Sequence, residues 1–254
     1  MLKDNVKVKG IFLLPNLLTS MSLFAGFFAI ISSIHNDFLS AVYAIFFAAV
    51  VDALDGRVAR LTNTSTDFGK EFDNLADMVS FGISPALVIY NWNLLNFGKL
   101  GWSVCFMYVA AVALRLAKFA SQAQEKKFFK GIPSPAGACA LLSVIWLIIS
   151  YNITSIYIPF LSMFLTLIIS FLMVSNIYYP SFKNIDLITK QISLLHAFFL
   201  VLILFFVVMC PAIFFCILFM SYLLSGILLS VPFFRKKKFI FNTIISYLRK
   251  KNSD

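Results

Sequence analysis

Charged residues are scarce in this sequence, and their scarcity excludes an ordinary soluble protein. Asp, Glu, Lys and Arg make up 13% of the 254 residues, and 61% of the residues are hydrophobic. A soluble domain carries about a quarter charged residues. No polar stretch is long enough to bury a core of its own. The sequence therefore predicts an all-α integral membrane protein, a polytopic bundle of about eight transmembrane helices.

Paired cysteines are also lacking, which argues against a disulfide framework or a thiolate metal site. The cysteines lie singly in apolar runs, without the close spacing of either motif. We interpret them as small buried hydrophobic residues. They are Cys105, Cys139, Cys210 and Cys216.

Long apolar runs, separated by short polar connections, define the candidate spans. A spanning helix needs about 20 apolar residues. The first run is too long for a signal peptide and lacks a small-residue cleavage site, so we interpret it as a true span. The predicted spans are 14–34, 38–60, 72–91, 100–120, 134–151, 157–176, 193–210 and 212–232, and the last two are divided at Pro211.

Basic residues outnumber acidic residues by 21 to 11, and their distribution predicts the topology. If the N-terminus is cytosolic, the cytosolic segments and adjoining helix ends contain every Lys and Arg except Lys99. This positive-inside pattern predicts that both termini lie in the cytosol. Attraction to anionic lipid headgroups explains the net charge of +10 better than binding to nucleic acid.

The C-terminal segment differs from the rest of the chain. We predict a membrane domain over residues 1–232 and a basic cytosolic tail over residues 233–254. Apolar residues recur at helical spacing within the tail, which favours an amphipathic helix lying in the membrane interface. An alternative is a basic tail that only fixes the topology.

More than half of the acidic residues lie between positions 52 and 77. Asp52 and Asp55 share one face of a predicted helix, and Asp73 and Asp77 share one face of the next. A short polar turn joins the two helices, so the four carboxylates can converge. Carboxylate oxygens suit hard divalent cations such as Mg²⁺ or Mn²⁺.

Glycines and arginines accompany these acids. Gly56 and Gly69 leave room for a ligand to approach the backbone, and the guanidinium groups of Arg57 and Arg60 match phosphate. The alternative is a solvated loop with surface ion pairs. Ionisable residues within apolar sequence are costly, however, and generally mark a functional site. The cluster favours chemistry on a phosphate-bearing lipid at the cytosolic face.

The spacing Asp52-x2-Asp55-Gly56-x2-Ala59-Arg60-x8-Gly69-x3-Asp73-x3-Asp77 resembles the complete signature of the CDP-alcohol phosphotransferases. Four segments beside or beyond this signature resemble the bacterial membrane-bound phosphatidylserine synthases of that family. They are 12–19, 75–82, 113–119 and 131–136, and the overall similarity covers roughly residues 10 to 230.

The resemblance implies an enzyme that moves the phosphatidyl group of CDP-diacylglycerol to L-serine and releases CMP, at the cytosolic face of the bacterial cytoplasmic membrane. It implies two metal ions, Mg²⁺ or Mn²⁺, held by Asp52, Asp55, Asp73 and Asp77, with Asp77 also acting as general base. It further implies a homodimer. The positions implied to bind CDP-diacylglycerol are Pro15, Asn16, Thr19, Gly56, Arg60 and Thr66.

The serine site is implied less directly. Serine carries a carboxylate, so its site should contain a cation. The candidates from the resembling segments are Arg115, Lys118 and Ser134. For the two basic residues, the alternative is that they are ordinary positive-inside anchors.

Two rival functions remain open at this point. One is another member of the same family that accepts glycerol phosphate or inositol phosphate. The other is a divalent-cation transporter, because carboxylates within spans also mark ion pathways. A transporter is expected to carry its polar residues near the midplane and on several spans, often with repeat symmetry. Here they crowd around a single turn.

Overall fold

A computed structural model of the protein describes residues 2–62, 66–121, 128–180 and 194–230, and these residues are almost entirely helical. Each predicted span coincides with a helical segment, which confirms the predicted all-α bundle. The helices are α1 (Leu2–Ile34), α2 (Phe38–Leu61), α3 (Asp67–Asp77), α4 (Ser84–Ile89), α5 (Lys99–Ser121), α6 (Ser134–Ser150), α7 (Ile158–Val174), α8 (Leu194–Met209) and α9 (Pro211–Ser230).

The described helices are those of an integral membrane protein. Those long and apolar enough to cross a membrane are Leu14–Ile34, Phe38–Leu61, Asp67–Phe97, Lys99–Ala120 and Pro211–Leu228. Ser134–Ser150 and Ile158–Val174 are apolar but shorter. The total of about eight spans and the cytosolic location of the termini stay predictions. The predicted tail 233–254 lies outside the described residues.

The third helical segment is longer than the predicted span 72–91. It runs from Asp67 to Phe97, through α3, a π-helical turn at Met78–Ile83, α4, and a second π-helical turn that ends at Leu94. Polar side chains at both of its ends interrupt the apolar run, so hydropathy alone placed its bounds too far inward.

The core forms where α1, α2, α5 and α6 pack around the third helical segment. Small residues let these helices approach closely, since Ala29, Ala41 and Ala48 are fully buried between them. Larger side chains such as Phe81 and Tyr108 fill the remaining space, and the Tyr108 hydroxyl donates to the Phe81 carbonyl at 2.9 Å.

A short antiparallel ribbon joins two connections that are distant in sequence. Strand β1 (Phe128–Lys130) precedes α6, and strand β2 (Tyr178–Pro180) follows α7. Phe129 pairs with Tyr179 at the centre of the ribbon. The sequence analysis did not predict this ribbon, because strands of three residues carry no periodic signal.

The cysteines are free thiols, and the prediction that all of them are buried is correct for only two. Cys105 and Cys139 are buried, while Cys210 and Cys216 are only partly buried. Cys210 alone separates α8 from α9, so the predicted division at Pro211 is confirmed.

Candidate active site

The acids of α2 and α3 converge in the folded chain. One carboxylate oxygen from each of Asp52, Asp55 and Asp73 lies within 4.8 Å of the other two. Asp55 is buried, and Asp52 and Asp73 are partly buried. The helical spacing read from the sequence explains this geometry, since each pair lies on one face of its own helix.

Asp77 joins the same cluster from the last turn of α3. Its carboxyl group makes a side-chain hydrogen bond with Asp52, and Asp73 lies one turn before it on the same face. The structure therefore places all four predicted acids together.

The start of α3 is fixed by a side-chain cap. Thr66 is the N-cap residue, and its hydroxyl oxygen accepts a hydrogen bond from the Gly69 amide at 3.0 Å. A Cβ on Gly69 would lie 3.1 Å from Thr66 Oγ1 and 3.3 Å from Asn16 Oδ1. The glycine therefore allows α1 and α3 to approach each other at the site.

The segment after Asp77 is anchored to α1. Two serine hydroxyls donate to α1 carbonyls: Ser80 Oγ to Ser22 O at 2.9 Å, and Ser84 Oγ to Gly26 O at 2.8 Å. Both serines are fully buried, and Ser80 lies within the π-helical turn Met78–Ile83. Single π turns occur frequently at functional sites, and this one begins at the residue after Asp77.

A small groove opens beside the acids, between α1, α2 and α3. Its polar walls include the predicted residues of the first helix and the N-cap of α3. The lining residues are Pro15, Asn16, Thr19, Asp55, Ala59, Thr66, Gly69, Lys70 and Asp73.

Thr19 lies in the wall of this groove and contacts the acid cluster. Its hydroxyl, which is buried, lies 3.0 Å from Asp55 Oδ2 and 3.1 Å from the Pro15 carbonyl. A donated hydrogen bond fixes the orientation of the Asp55 carboxylate. This predicted substrate residue thus contacts a predicted metal ligand directly.

Two of the predicted substrate residues are not part of the groove lining that the structure describes. Arg60 is exposed near the end of α2, and Gly56 is exposed one turn earlier. Among the described residues, no atom lies within 4 Å of where a Cβ on Gly56 would stand. Both residues therefore face open space next to the acids, where a bound molecule would have room.

The sequence analysis missed Lys70 as a site residue. Lys70 lines the groove and forms an ion pair with Asp67, in which Nζ lies 2.8 Å from Oδ1. Both side chains are largely exposed. The available signal was its position directly after the signature glycine Gly69, in the first turn of α3.

Arg115 and Ser134 meet on the other side of the acid cluster. Arg115 Nη1 donates to Ser134 Oγ at 2.7 Å, which joins α5 to the first residue of α6. The Arg115 guanidinium is also within electrostatic range of Asp77 and Asp52. A partly buried, hydrogen-bonded guanidinium beside the acids favours a role in the site over that of a simple membrane anchor.

Lys118, the third candidate for the serine site, points elsewhere. Its Nζ donates to Asn176 Oδ1 at 3.1 Å, at the end of α7. The structure therefore brings Arg115 and Ser134 together but ties Lys118 to a different connection.

The donor set of the acid cluster fits a divalent cation. Mg²⁺ and Ca²⁺ bind oxygen ligands at about 2.0–2.6 Å, so ligand oxygens on one ion lie within about 5 Å of one another. The oxygens of Asp52, Asp55 and Asp73 satisfy this condition. The signature acids could therefore hold a metal of this class.

Comparison with known proteins gives a consistent picture. The profile of the family described as CDP-alcohol phosphatidyltransferase matches residues 12–218. The CDP-diacylglycerol–serine O-phosphatidyltransferase of Helicobacter pylori (strain 26695) is 37% identical over 185 residues, which are 70% of this chain and 76% of that protein.

Two further relatives carry the same name. The protein of Methanocaldococcus jannaschii is 36% identical over 178 residues, 70% of this chain and 78% of its own length. The protein of Bacillus subtilis is 34% identical over 172 residues, 67% of this chain and 92% of its own length. The family match contains the acid cluster, the groove, Arg115 and Ser134, and it stops within α9.

Proposed function

The chain belongs to the CDP-alcohol phosphatidyltransferase family, and we propose that it transfers the phosphatidyl group of CDP-diacylglycerol to L-serine and releases CMP. The observation that carries this proposal is the convergence of the four signature acids between a polar groove and the partly buried Arg115. The names of the three relatives support serine as the acceptor.

The four acids form the metal site in this proposal. Two divalent ions, Mg²⁺ or Mn²⁺, are held by Asp52, Asp55, Asp73 and Asp77. When bound, such ions neutralise the diphosphate and stabilise charge on the attacking and leaving oxygens. The oxygen-only donor set supports hard cations over softer metals.

Asp77 takes the proton from the acceptor. The serine hydroxyl oxygen attacks the phosphorus that carries diacylglycerol, and the bond from that phosphorus to the CMP oxygen breaks. The hydroxyl proton passes to the Asp77 carboxylate. The position of Asp77 supports this role, because it stands at the side of the cluster that faces Arg115. Proton transfer by a positioned carboxylate contributes roughly 10²–10⁴-fold to a rate.

The nucleotide side of the site is the groove between α1 and α3. Asn16 and Thr66 offer neutral hydrogen-bonding groups there, and Lys70 offers positive charge for the diphosphate. Gly56 and Arg60 contact the same donor from the edge of α2. The groove is open to the acids along Asp55 and Asp73, which supports a path from the nucleotide to the metal site.

The acceptor side is built around Arg115 and Ser134. A guanidinium binds a carboxylate in a planar, two-bonded geometry, and the carboxylate of serine is such a group. Ser134 fixes one nitrogen of Arg115, which leaves the planar fork oriented for the acceptor. Lys118 lies about one helical turn further along α5, and its bond to Asn176 does not support a direct contact with the acceptor.

The active site faces the cytosol in this proposal. The concentration of Lys and Arg on the segments around the signature supports that side by the positive-inside rule. Serine and CMP are water-soluble, so a site open to the cytosol can exchange both directly.

An acceptor panel tests the proposal. The purified protein in detergent is given CDP-diacylglycerol and Mn²⁺ or Mg²⁺, with serine, glycerol 3-phosphate or inositol phosphate in turn, and CMP release is measured. The expected result is release with serine alone, and none in Asp77→Asn. Release only with another alcohol would keep the family chemistry and overturn the serine assignment. No release with any acceptor in the folded protein would favour cation transport.

A further inference from the structure

The connection before α6 and the connection after α7 are hydrogen-bonded to each other beside Ser134. The Gly131 amide donates to the Ile177 carbonyl at 2.8 Å, directly after the β1–β2 ribbon. Gly131 has φ +80°, and a Cβ there would lie 2.4 Å from the Met173 carbonyl oxygen. Only glycine fits this backbone without a shift. The ribbon thereby fixes the start of α6, and Ser134 with it.

Tyr179 links the ribbon to α9. Its side chain is fully buried, although it comes from a short strand at the end of the bundle. The ring occupies the space left by the missing side chain of Gly226: a Cβ there would lie 2.2–2.7 Å from three ring atoms. Burial raises the pKa of Tyr179 to about 12, so the phenol stays neutral at physiological pH. Its hydroxyl lies 3.5 Å from the Leu223 carbonyl.

Tyr222 connects the contact between Tyr179 and Gly226 to the acceptor side of the site. Its ring centroid is 5.4 Å from that of Tyr179, with a tilt of 41° between the planes. The Tyr222 hydroxyl and the Arg115 guanidinium are within electrostatic range of each other. A path of direct contacts runs from Gly226 to the Tyr179 ring, along the β1–β2 ribbon to Gly131 and Ser134, and from Ser134 to Arg115.

A long cationic side chain needs such support. Arg has many rotamers, and holding it in one of them costs side-chain entropy. Ser134 fixes Arg115 at one nitrogen, and the hydrogen bond from the Gly131 amide to the Ile177 carbonyl fixes the segment that carries Ser134. A second-layer contact that locks the rotamer of a binding residue is a general requirement of a well-ordered site.

The α9 residues around the Tyr179 ring lie beyond the part of the chain that the family profile matches. The match ends at residue 218, whereas Tyr222, Leu223 and Gly226 occupy the following turns of α9. Membership of the family therefore does not by itself assign a role to these residues.

We propose that Gly226, Tyr179 and Tyr222 are positioning residues, which hold Arg115 in the orientation that selects the acceptor. They act through Arg115 and do not touch the reacting atoms. The last helix thus sets acceptor affinity, while the groove on the opposite side of the acids sets the affinity for the nucleotide lipid. This inference rests on the proposed function, in which Arg115 binds the acceptor.

Separate Michaelis constants for the two substrates test the inference. Gly226→Ala forces the Tyr179 ring to move, so we expect KM for serine to rise about tenfold and KM for CDP-diacylglycerol to change by less than about twofold. Tyr222→Phe keeps the ring and removes only the hydroxyl, and we expect a rise of about threefold for serine. Leu224→Ala, an exposed position on the same helix, is the matched control and should resemble the wild type.

Each outcome decides the question. Equal rises in both KM values would show a merely structural role and overturn the proposal, and so would an unchanged KM for serine in Tyr222→Phe. If Gly226→Ala does not fold, Tyr222→Phe still decides. If the wild type uses an alcohol other than serine, the proposed function fails, and KM for that alcohol in the same variants tests the positioning role separately.

Discussion

Arg115 is the residue on which the account of acceptor selection depends. It is a cation within a largely apolar bundle, and its neighbours are two of the signature acids and the hydroxyl of Ser134. A guanidinium in this place has two functions. It offsets part of the negative charge of the cluster, and in the proposed function it would present a planar fork to the carboxylate of the acceptor.

Arg115→Lys separates these two functions. Lysine keeps the positive charge but loses the fork and the bond to Ser134, so we expect KM for serine to rise about 10- to 100-fold with a smaller change in KM for CDP-diacylglycerol. The matched control is Arg57→Lys, because Arg57 is exposed and does not line the groove. A serine KM that stays at the wild-type value in Arg115→Lys would contradict the assignment of the acceptor pocket. Steady-state kinetics with each substrate varied in turn provide the measurement.

The complementary prediction concerns Lys70 and the affinity for the nucleotide lipid. Lys70→Gln removes a positive charge from the groove, so KM for CDP-diacylglycerol should rise about three- to tenfold while KM for serine is unchanged. Asp67→Asn is the control, since it breaks the ion pair of Lys70 but leaves the ammonium in place. Loss of serine affinity in Lys70→Gln, or no kinetic effect at all, would show that Lys70 does not serve the diphosphate.

At the scale of elements, the contact between α1 and the π-helical turn after Asp77 holds the site together. Gly26 makes this contact possible, because a Cβ there would lie 2.6 Å from Ser80 Oγ and 2.7 Å from Ser80 Cα. Since Ser80 follows Asp77 by three residues in the same continuous helix, any displacement of Ser80 also moves Asp77.

Gly26→Val should therefore weaken both stability and activity. Overpacking of a buried helix contact costs about 1–3 kcal/mol, and we expect the thermal midpoint in detergent to fall by several degrees together with kcat. Phe27→Val is the control, because Phe27 is exposed on the same helix. If the thermal midpoint of Gly26→Val equals that of the wild type, the close packing of α1 on this turn is contradicted.

Several of these structural elements could be predicted from the sequence. The apolar runs predicted the helices, and Pro211 predicted the end of α8. The helical spacing of the acids predicted the acidic faces of α2 and α3. These acids are Asp52, Asp55, Asp73 and Asp77. The signature supplied the chemistry. These features depend on residues that are close in sequence, where periodicity and caps carry the signal.

Features that depend on distant partners could not be read in this way. The pairing of Tyr179 with Gly226 joins two positions that only the packed bundle brings together, and the ribbon pairs strands too short to show a period. The first π turn is anchored by serine hydroxyls that donate to a different helix. Lys70 was missed because one lysine beside a polar turn looks like an ordinary solvated residue.

At the scale of the whole molecule, the acid cluster is a source of instability that a bound cation would relieve. Several carboxylates within a few ångströms of one another repel, and burial of Asp55 increases the cost of its charge. Ligands that bind only the folded state stabilise it by mass action, by about 2.7 kcal/mol at a hundredfold excess over Kd.

Divalent cations should consequently raise the thermal midpoint of the protein. We expect a midpoint several degrees higher in Mn²⁺ or Mg²⁺ than in a chelator, and we expect the difference to be lost in the double variant Asp52→Asn, Asp73→Asn. Glu71→Gln is the control, because Glu71 is an exposed acid on α3 outside the cluster. A midpoint that does not respond to the cation in the wild type would contradict the metal site.

The most direct test of the central claim is the identity and amount of the two products. The wild-type protein is incubated with CDP-diacylglycerol, labelled serine and Mn²⁺ or Mg²⁺, and phosphatidylserine and CMP are both quantified by mass spectrometry. The account predicts equal amounts of the two products, none after chelation, recovery when the cation is restored, and none in Asp77→Asn. CMP without phosphatidylserine, or phosphatidylserine formed at an undiminished rate by Asp77→Asn, would contradict it.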